Sequence, residues 1–262
     1  MNHAIPLWLR LIFVFVALQA LELIVVFFQP TLVQLLVPWP ATPLNARFIA
    51  ALYVSLGFGV LLCAFARSFQ AVRIVLLGIG LSTAMLFFIT LPRLGELDAF
   101  PFWWMFFYVV DPLLVAFAFW RLGWRVQETP TQNSLAPVWI GHAAIMAATG
   151  FFLLVLPAAA INVWPWTMTV ALAQLYSAFF LTLAIASLLA ARESGIEGTQ
   201  LPMAMILVLA LLVLAVSLFH LDRFKTGIPT ILWFLVFGAE ALVFGGILVR
   251  QRVDAPVKEA AL

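Results

Sequence analysis

The sequence predicts an all-α integral membrane protein with eight transmembrane helices, arranged as two tandem four-helix repeats related by a pseudo-twofold axis along the membrane normal. Three observations carry that expectation. Hydrophobic residues make up 66% of the chain and charged residues 9%, with a mean hydropathy of +1.16; roughly a quarter of the residues of a soluble domain are charged. Eight apolar runs are each long enough to cross about 30 Å of hydrocarbon. Finally, Trp104, Asp111 and Arg121 recur 129 residues later as Trp233, Glu240 and Arg250, with the same spacings of seven and ten.

The first run, 5–28, has no Lys or Arg ahead of it and exceeds the roughly 7–15 residues of a signal-peptide core, so it reads as an uncleaved spanning helix. Between Gln29 and Arg47 stand Pro30, Pro38, Pro40 and Pro43 with Trp39. That segment is too broken for a regular helix and too apolar for a free loop, and it predicts an element half-buried at the outer interface. Runs at 47–66, 71–91 and 101–121 complete a first repeat, 1–126. A polar linker, 127–136, leads to runs at 137–157, 165–190, 202–220 and 229–249 in a second repeat, 137–252, followed by a tail, 253–262.

Further matches keep the same order in both halves. Trp39-Pro40, Tyr53 and Ala66-Arg67 are followed by Leu91-Pro92-Arg93; Trp164-Pro165, Tyr176 and Ala191-Arg192 are followed by Leu221-Asp222-Arg223. Pro101 and Pro229 then open the acid-bearing spans. A repeat of four helices returns to its starting side, which makes the two halves parallel.

Orientation follows from the cations. Nine Lys and Arg fall on the side of the termini and only Arg47, Arg93, Arg223 and Lys225 on the other, which predicts both termini in the cytoplasm, in a bacterial inner membrane. Trp8, Trp120, Trp124 and Trp139 fall at predicted inner ends and the other six tryptophans at outer ends, the depth that indole rings prefer. Arg67, Arg73, Arg121, Arg192 and Arg250 mark inner helix ends, where arginine snorkels to lipid phosphates. On the outer side, Arg93 and Arg223 have Glu96, Asp98 and Asp222 nearby for local ion pairs.

Several function classes lose ground. The net charge of +2 is scattered singly, so no nucleic-acid partner is expected. Cys63 is the only cysteine, which excludes a disulfide, a zinc cluster or an iron–sulfur cluster within one chain. His142 and His220 fall at opposite ends of the bundle, too far apart for one haem iron, and His3 lies in the short N-terminal segment. No nucleotide-binding glycine loop, partnered nucleophile or zinc-protease helix is present, so the balance leans away from an enzyme, with no cofactor and no metal expected.

What remains are acids in lipid. Asp111 and Glu240 each lie near the middle of a span, where insertion costs about 2.5–3.5 kcal/mol per acid. Pro112 follows Asp111 and frees a backbone carbonyl one turn earlier. Glu22, with Gln19 one turn before it, marks a further polar point in the first span. If the fourth and eighth spans line the interface between the halves, Asp111 and Glu240 face one another; if those spans are peripheral, each acid serves its own half. The leading reading is a transporter or channel for a small solute or ion that uses Asp111, Glu240, Glu22 and Gln19 along its path. The alternative is a non-catalytic subunit of a larger membrane complex, with a membrane-protein partner or a second copy against its apolar faces. In either case the lipid bilayer is the solvent.

Overall fold

A computed structural model of the chain describes residues 4–36, 39–96, 102–123, 133–193 and 196–259. His3, Asp98, Pro101, Trp124, Arg125, linker residues 127–132 and tail residues 260–262 lie outside the described residues, as does the side chain of Glu96.

Helices dominate the described residues. We label the eight long ones α1 (Leu7–Leu21, continued by Ile24–Phe28), α2 (Pro43–Phe65), α3 (Phe69–Thr90), α4 (Phe102–Leu122), α5 (Ala136–Val155), α6 (Val170–Ala191), α7 (Glu197–Phe219) and α8 (Ile228–Glu259). All eight contain a stretch long and apolar enough to span a bilayer. The expected apolar runs and these helices coincide within a few residues, and the departures have local causes. Thr169 accepts a hydrogen bond from the Leu172 amide at 3.2 Å and so fixes the start of α6 later than the apolar run suggests. α7 begins earlier than its run because Glu197 suits the first turn of a helix.

The proline-rich stretch is an interrupted element, as expected. A short 3-10 turn, Pro30–Leu32, and a single helical turn, Val33–Leu36, lead to the buried Trp39. Thr42 then caps α2, with Pro43 at its first position, where the missing N–H is no loss.

Contacts define the two ends of the bundle. At the end where α1 starts, Arg10 donates to the carbonyls of Ala64 and Ala66 at the close of α2, and Asn133, ahead of α5, donates to that of Ala190 at the close of α6. At the opposite end, the Asn45 amide donates to the Thr167 carbonyl at 3.1 Å, while its oxygen accepts from Trp166 at 2.7 Å and Tyr176 at 3.0 Å. Lys225 reaches the carbonyls of Ile161 and Asn162 there.

Packing follows a regular plan. α1 lies against α2, α5 against α6, α3 against α4 and α7 against α8; α2 also packs on α7, and α6 on α3. The share of each span that is buried runs 33, 72, 50 and 22% from α1 to α4, and 33, 78, 50 and 22% from α5 to α8. Thus α2 and α6 form the centre, and the acid-bearing α4 and α8 are the most peripheral. Polar and small residues on many faces of the central helices, such as Asn45, Ser55 and Gly57 on α2 and Ser177, Thr182 and Ser187 on α6, suit enclosure by protein instead of lipid. At Gly57 the α1 backbone comes so near that an added Cβ would stand 2.9 Å from the Ala20 Cβ and 3.2 Å from the Ala17 carbonyl.

Candidate functional site

Asp111 is 5% exposed on α4, in a small cavity between α1, α2, α3 and α4. The cavity brings Asp111 together with both sequence-expected polar residues of the first span, Gln19 and Glu22, and adds Tyr53, Thr83 and Tyr108. Its volume is about 40 Å³, above the roughly 10–15 Å³ that one water needs.

Two helix irregularities face this space. α1 is interrupted at Glu22, beyond which the Val25 and Val26 amides donate to carbonyls only three residues back, those of Glu22 and Leu23. Pro112 lies inside α4, and a proline there leaves the carbonyl four residues earlier, on Tyr108, without its helical donor.

The polar groups of the cavity are incompletely satisfied. The Tyr53 and Tyr108 hydroxyls bond to each other at 3.0 Å, and Thr83 donates to the Ile79 carbonyl at 2.7 Å. The Glu22 Oε1 and the Gln19 amide nitrogen are buried without a hydrogen-bond partner, and Asp111 has no ion-pair or hydrogen-bond partner among the described residues. Among the described residues that line the cavity, none is Lys, Arg or His. Buried polar groups in native proteins are nearly always paired, with protein, water or an ion, so this unmet capacity calls for an occupant.

Glu240 has different surroundings. It is 7% exposed on α8, and its Oε1 lies 3.5 Å from Nε2 of His142 on α5. The Nδ1 of His142 is 2.7 Å from the hydroxyl of Ser187 on α6, and the imidazole meets the ring of Phe244 edge-on. Ser187 and His142 are thus hydrogen-bonded, and Glu240 stands beside them on a third helix without a hydrogen bond among the described residues, its two oxygens and the His142 Nε2 buried and unpartnered. Ser187 is fully buried, so the cluster suits holding a proton, not attack on a substrate.

Asp111 and Glu240 thus sit in separate environments on the two most peripheral helices. Of the residues read as site candidates from sequence, Asp111, Glu22 and Gln19 converge, and Glu240 stands with other groups. Sequence reading placed His142 at the end of the bundle opposite His220 and did not join it to Glu240. The available signal was a lone histidine in an apolar helix, and only tertiary packing supplies its partner.

An arginine-sealed acid does exist, elsewhere. Arg73 is buried, not snorkelling as its position at a helix end suggested, and its Nε donates to Glu193 at 3.0 Å, with a second, shorter contact from Nη2. Ser68 donates to Glu197 beside it. These contacts tie the start of α3 to the α6–α7 connection. A Cβ on Gly198 would lie 2.7 Å from the Glu193 Oε2, so a larger residue there would push the Glu193 carboxylate aside.

At the opposite end Arg93 bonds Gln174 across to α6, while Arg223 pairs with Asp222 at 3.0 Å as expected. Arg47 donates to the Phe27 carbonyl at 2.8 Å and to His220 Nε2 at 2.7 Å. His220 is therefore held as the tautomer with its proton on Nδ1. Partial burial, then the neighbouring Arg47, draws its pKa below 6.5.

No protein-family model, curated protein or solved structure matches this chain.

Proposed function

We propose that the chain is a carrier or channel for a small solute or ion, built from two tandem four-helix units, in which Asp111 and Glu240 are two separate charge sites within the membrane. The observation that carries this reading is the company the acids keep. A carboxylate retained as static glue is sealed by a cation, as Glu193 is by Arg73. Asp111 instead lines a cavity with Glu22 and Gln19, and Glu240 has a histidine, the one basic side chain that gains and loses a proton near neutrality. Ionisable groups facing a cavity inside a bundle are the usual mark of an ion or proton pathway.

The tandem arrangement is supported by the matching burial sequence of the two sets of four helices and by the pairing of α2 with α7 and of α6 with α3, which a twofold exchange of the halves interconverts. Arg10 and Asn133 add to it, each preceding or opening the first helix of its unit and satisfying carbonyls at the end of the second.

The test is flux. Liposomes holding the purified protein and a pH-sensitive dye are challenged with sodium, potassium and proton gradients and with a panel of small solutes. Movement is expected in the wild type and is expected to be lost in Asp111→Asn and in Glu240→Gln, each checked for folding by gel filtration. Flux in the doubly substituted protein equal to wild type would sink the proposal.

A second reading, a subunit of a larger complex, draws on an open apolar groove of about 500 Å³ between α5, α6 and α8, lined by Met146, Phe152, Phe180, Leu232 and Phe237. Purification in mild detergent separates the two: co-purification of a stoichiometric partner favours the subunit, a lone monodisperse protein the carrier.

A further inference from the structure

We infer that the cavity at Asp111 binds one dehydrated alkali cation, with sodium as the probe, through Asp111, Glu22 and Gln19. This deepens the transport reading and rests on it only for what the bound ion does; the binding itself stands on the geometry.

The donor set is all oxygen. Asp111 and Glu22 bring carboxylates, and Tyr53 and Tyr108 bring a pair of hydroxyls. The amide of Gln19, turned over, presents its oxygen where an unpartnered nitrogen now stands. Oxygen-only sites select hard cations over transition metals. Asp111 is 5% exposed and unpartnered among the described residues, and it lines the cavity directly.

Backbone geometry points the same way through an independent feature. The interruption of α1 at Glu22 and the proline of α4 after Asp111 flank the same space. Interrupted membrane helices supply carbonyls that coordinate small cations, and the Tyr108 carbonyl freed by Pro112 is such a group.

Charge and hydration select the class. Magnesium dehydrates reluctantly and demands near-octahedral geometry, which a site of two carboxylates, an amide and a tyrosine pair does not impose. Stripping a doubly charged ion costs far more than stripping a singly charged one, since the Born cost grows with the square of the charge. A single cation together with one proton on the carboxylate pair leaves the cavity neutral.

The purified full-length protein in mild detergent is melted, followed by tryptophan fluorescence, in sodium chloride against choline chloride at equal ionic strength. A saturable rise in Tm of several degrees with sodium is expected. Asp111→Asn and Glu22→Gln are expected to raise the half-saturating concentration at least tenfold, while Asp222→Asn, exposed and outside the cavity, responds as wild type. An equal response to choline, a response to magnesium or calcium alone, or undiminished sodium response in both cavity variants overturns the inference. The wild-type comparison decides even where a variant fails to fold. Sodium binding without any flux removes the transport reading and leaves the site, and flux without sodium binding does the reverse.

Discussion

Arg73 and Glu193 set the terms at the scale of single residues. Two buried opposite charges make one another tolerable, and neither is tolerable alone, because each was drawn from water at a cost of several kcal/mol. Arg73→Ala is therefore expected to destabilise the protein by about 3–5 kcal/mol, whereas the double change Arg73→Met with Glu193→Leu is expected to be close to neutral. Melting of the three proteins in one detergent measures the difference, and a double variant as unstable as the single one rules out the charge as the cause. Sequence reading lost this pair for a physical reason. An arginine at a predicted helix end has two equally good homes, lipid phosphate or a protein carboxylate, and a partner 120 residues away decides between them. Asp111 was legible because a carboxylate inside an apolar run is costly wherever its partners are, but His142 became the partner of Glu240 only when α5 met α8.

At the scale of elements, the spans were legible because lipid imposes a length and a composition on each helix separately. Their places in the bundle were harder to read, since every span is apolar on the lipid side and on the protein side alike. The signal lay in α2 and α6, whose small and polar residues leave no face fit for lipid, and both begin at a threonine whose hydroxyl accepts a backbone N–H. Each cap contributes about 1 kcal/mol. The Thr42 hydroxyl also accepts from the Asn45 side chain at 2.9 Å, and Asn45 in turn holds Trp166 and Tyr176. Thr42→Ala is thus expected to lower stability more than Thr169→Ala, with the order read from unfolding in a detergent titration; the reverse order removes Asn45 from the argument. These caps also bear on the repeat. Tyr53 lies eleven residues beyond its cap and Tyr176 seven beyond its own, so the two tyrosines are one turn out of register and are weaker markers of duplication than the acids.

For the whole molecule, the proposed arrangement depends on every long helix crossing the membrane, and the two ends of α7 offer a direct check. Gln200 is exposed near its start, at the end of the bundle shared with the beginning of α1, and Thr226 is exposed just past its end, at the opposite face. From the excess of Lys and Arg on the side of the termini we propose that this side faces the cytoplasm. Cys63 is fully buried, so a cysteine placed elsewhere is the only thiol a reagent meets in the folded protein. A membrane-impermeant maleimide added to intact cells is expected to label Thr226→Cys at once and Gln200→Cys only after permeabilisation. The opposite pattern inverts the orientation and leaves eight crossings in place. Labelling of both from outside means that α7 does not cross, and with it falls the count of eight on which two parallel units of four depend, because the second unit would then have three crossings and α8 would run opposite to α4.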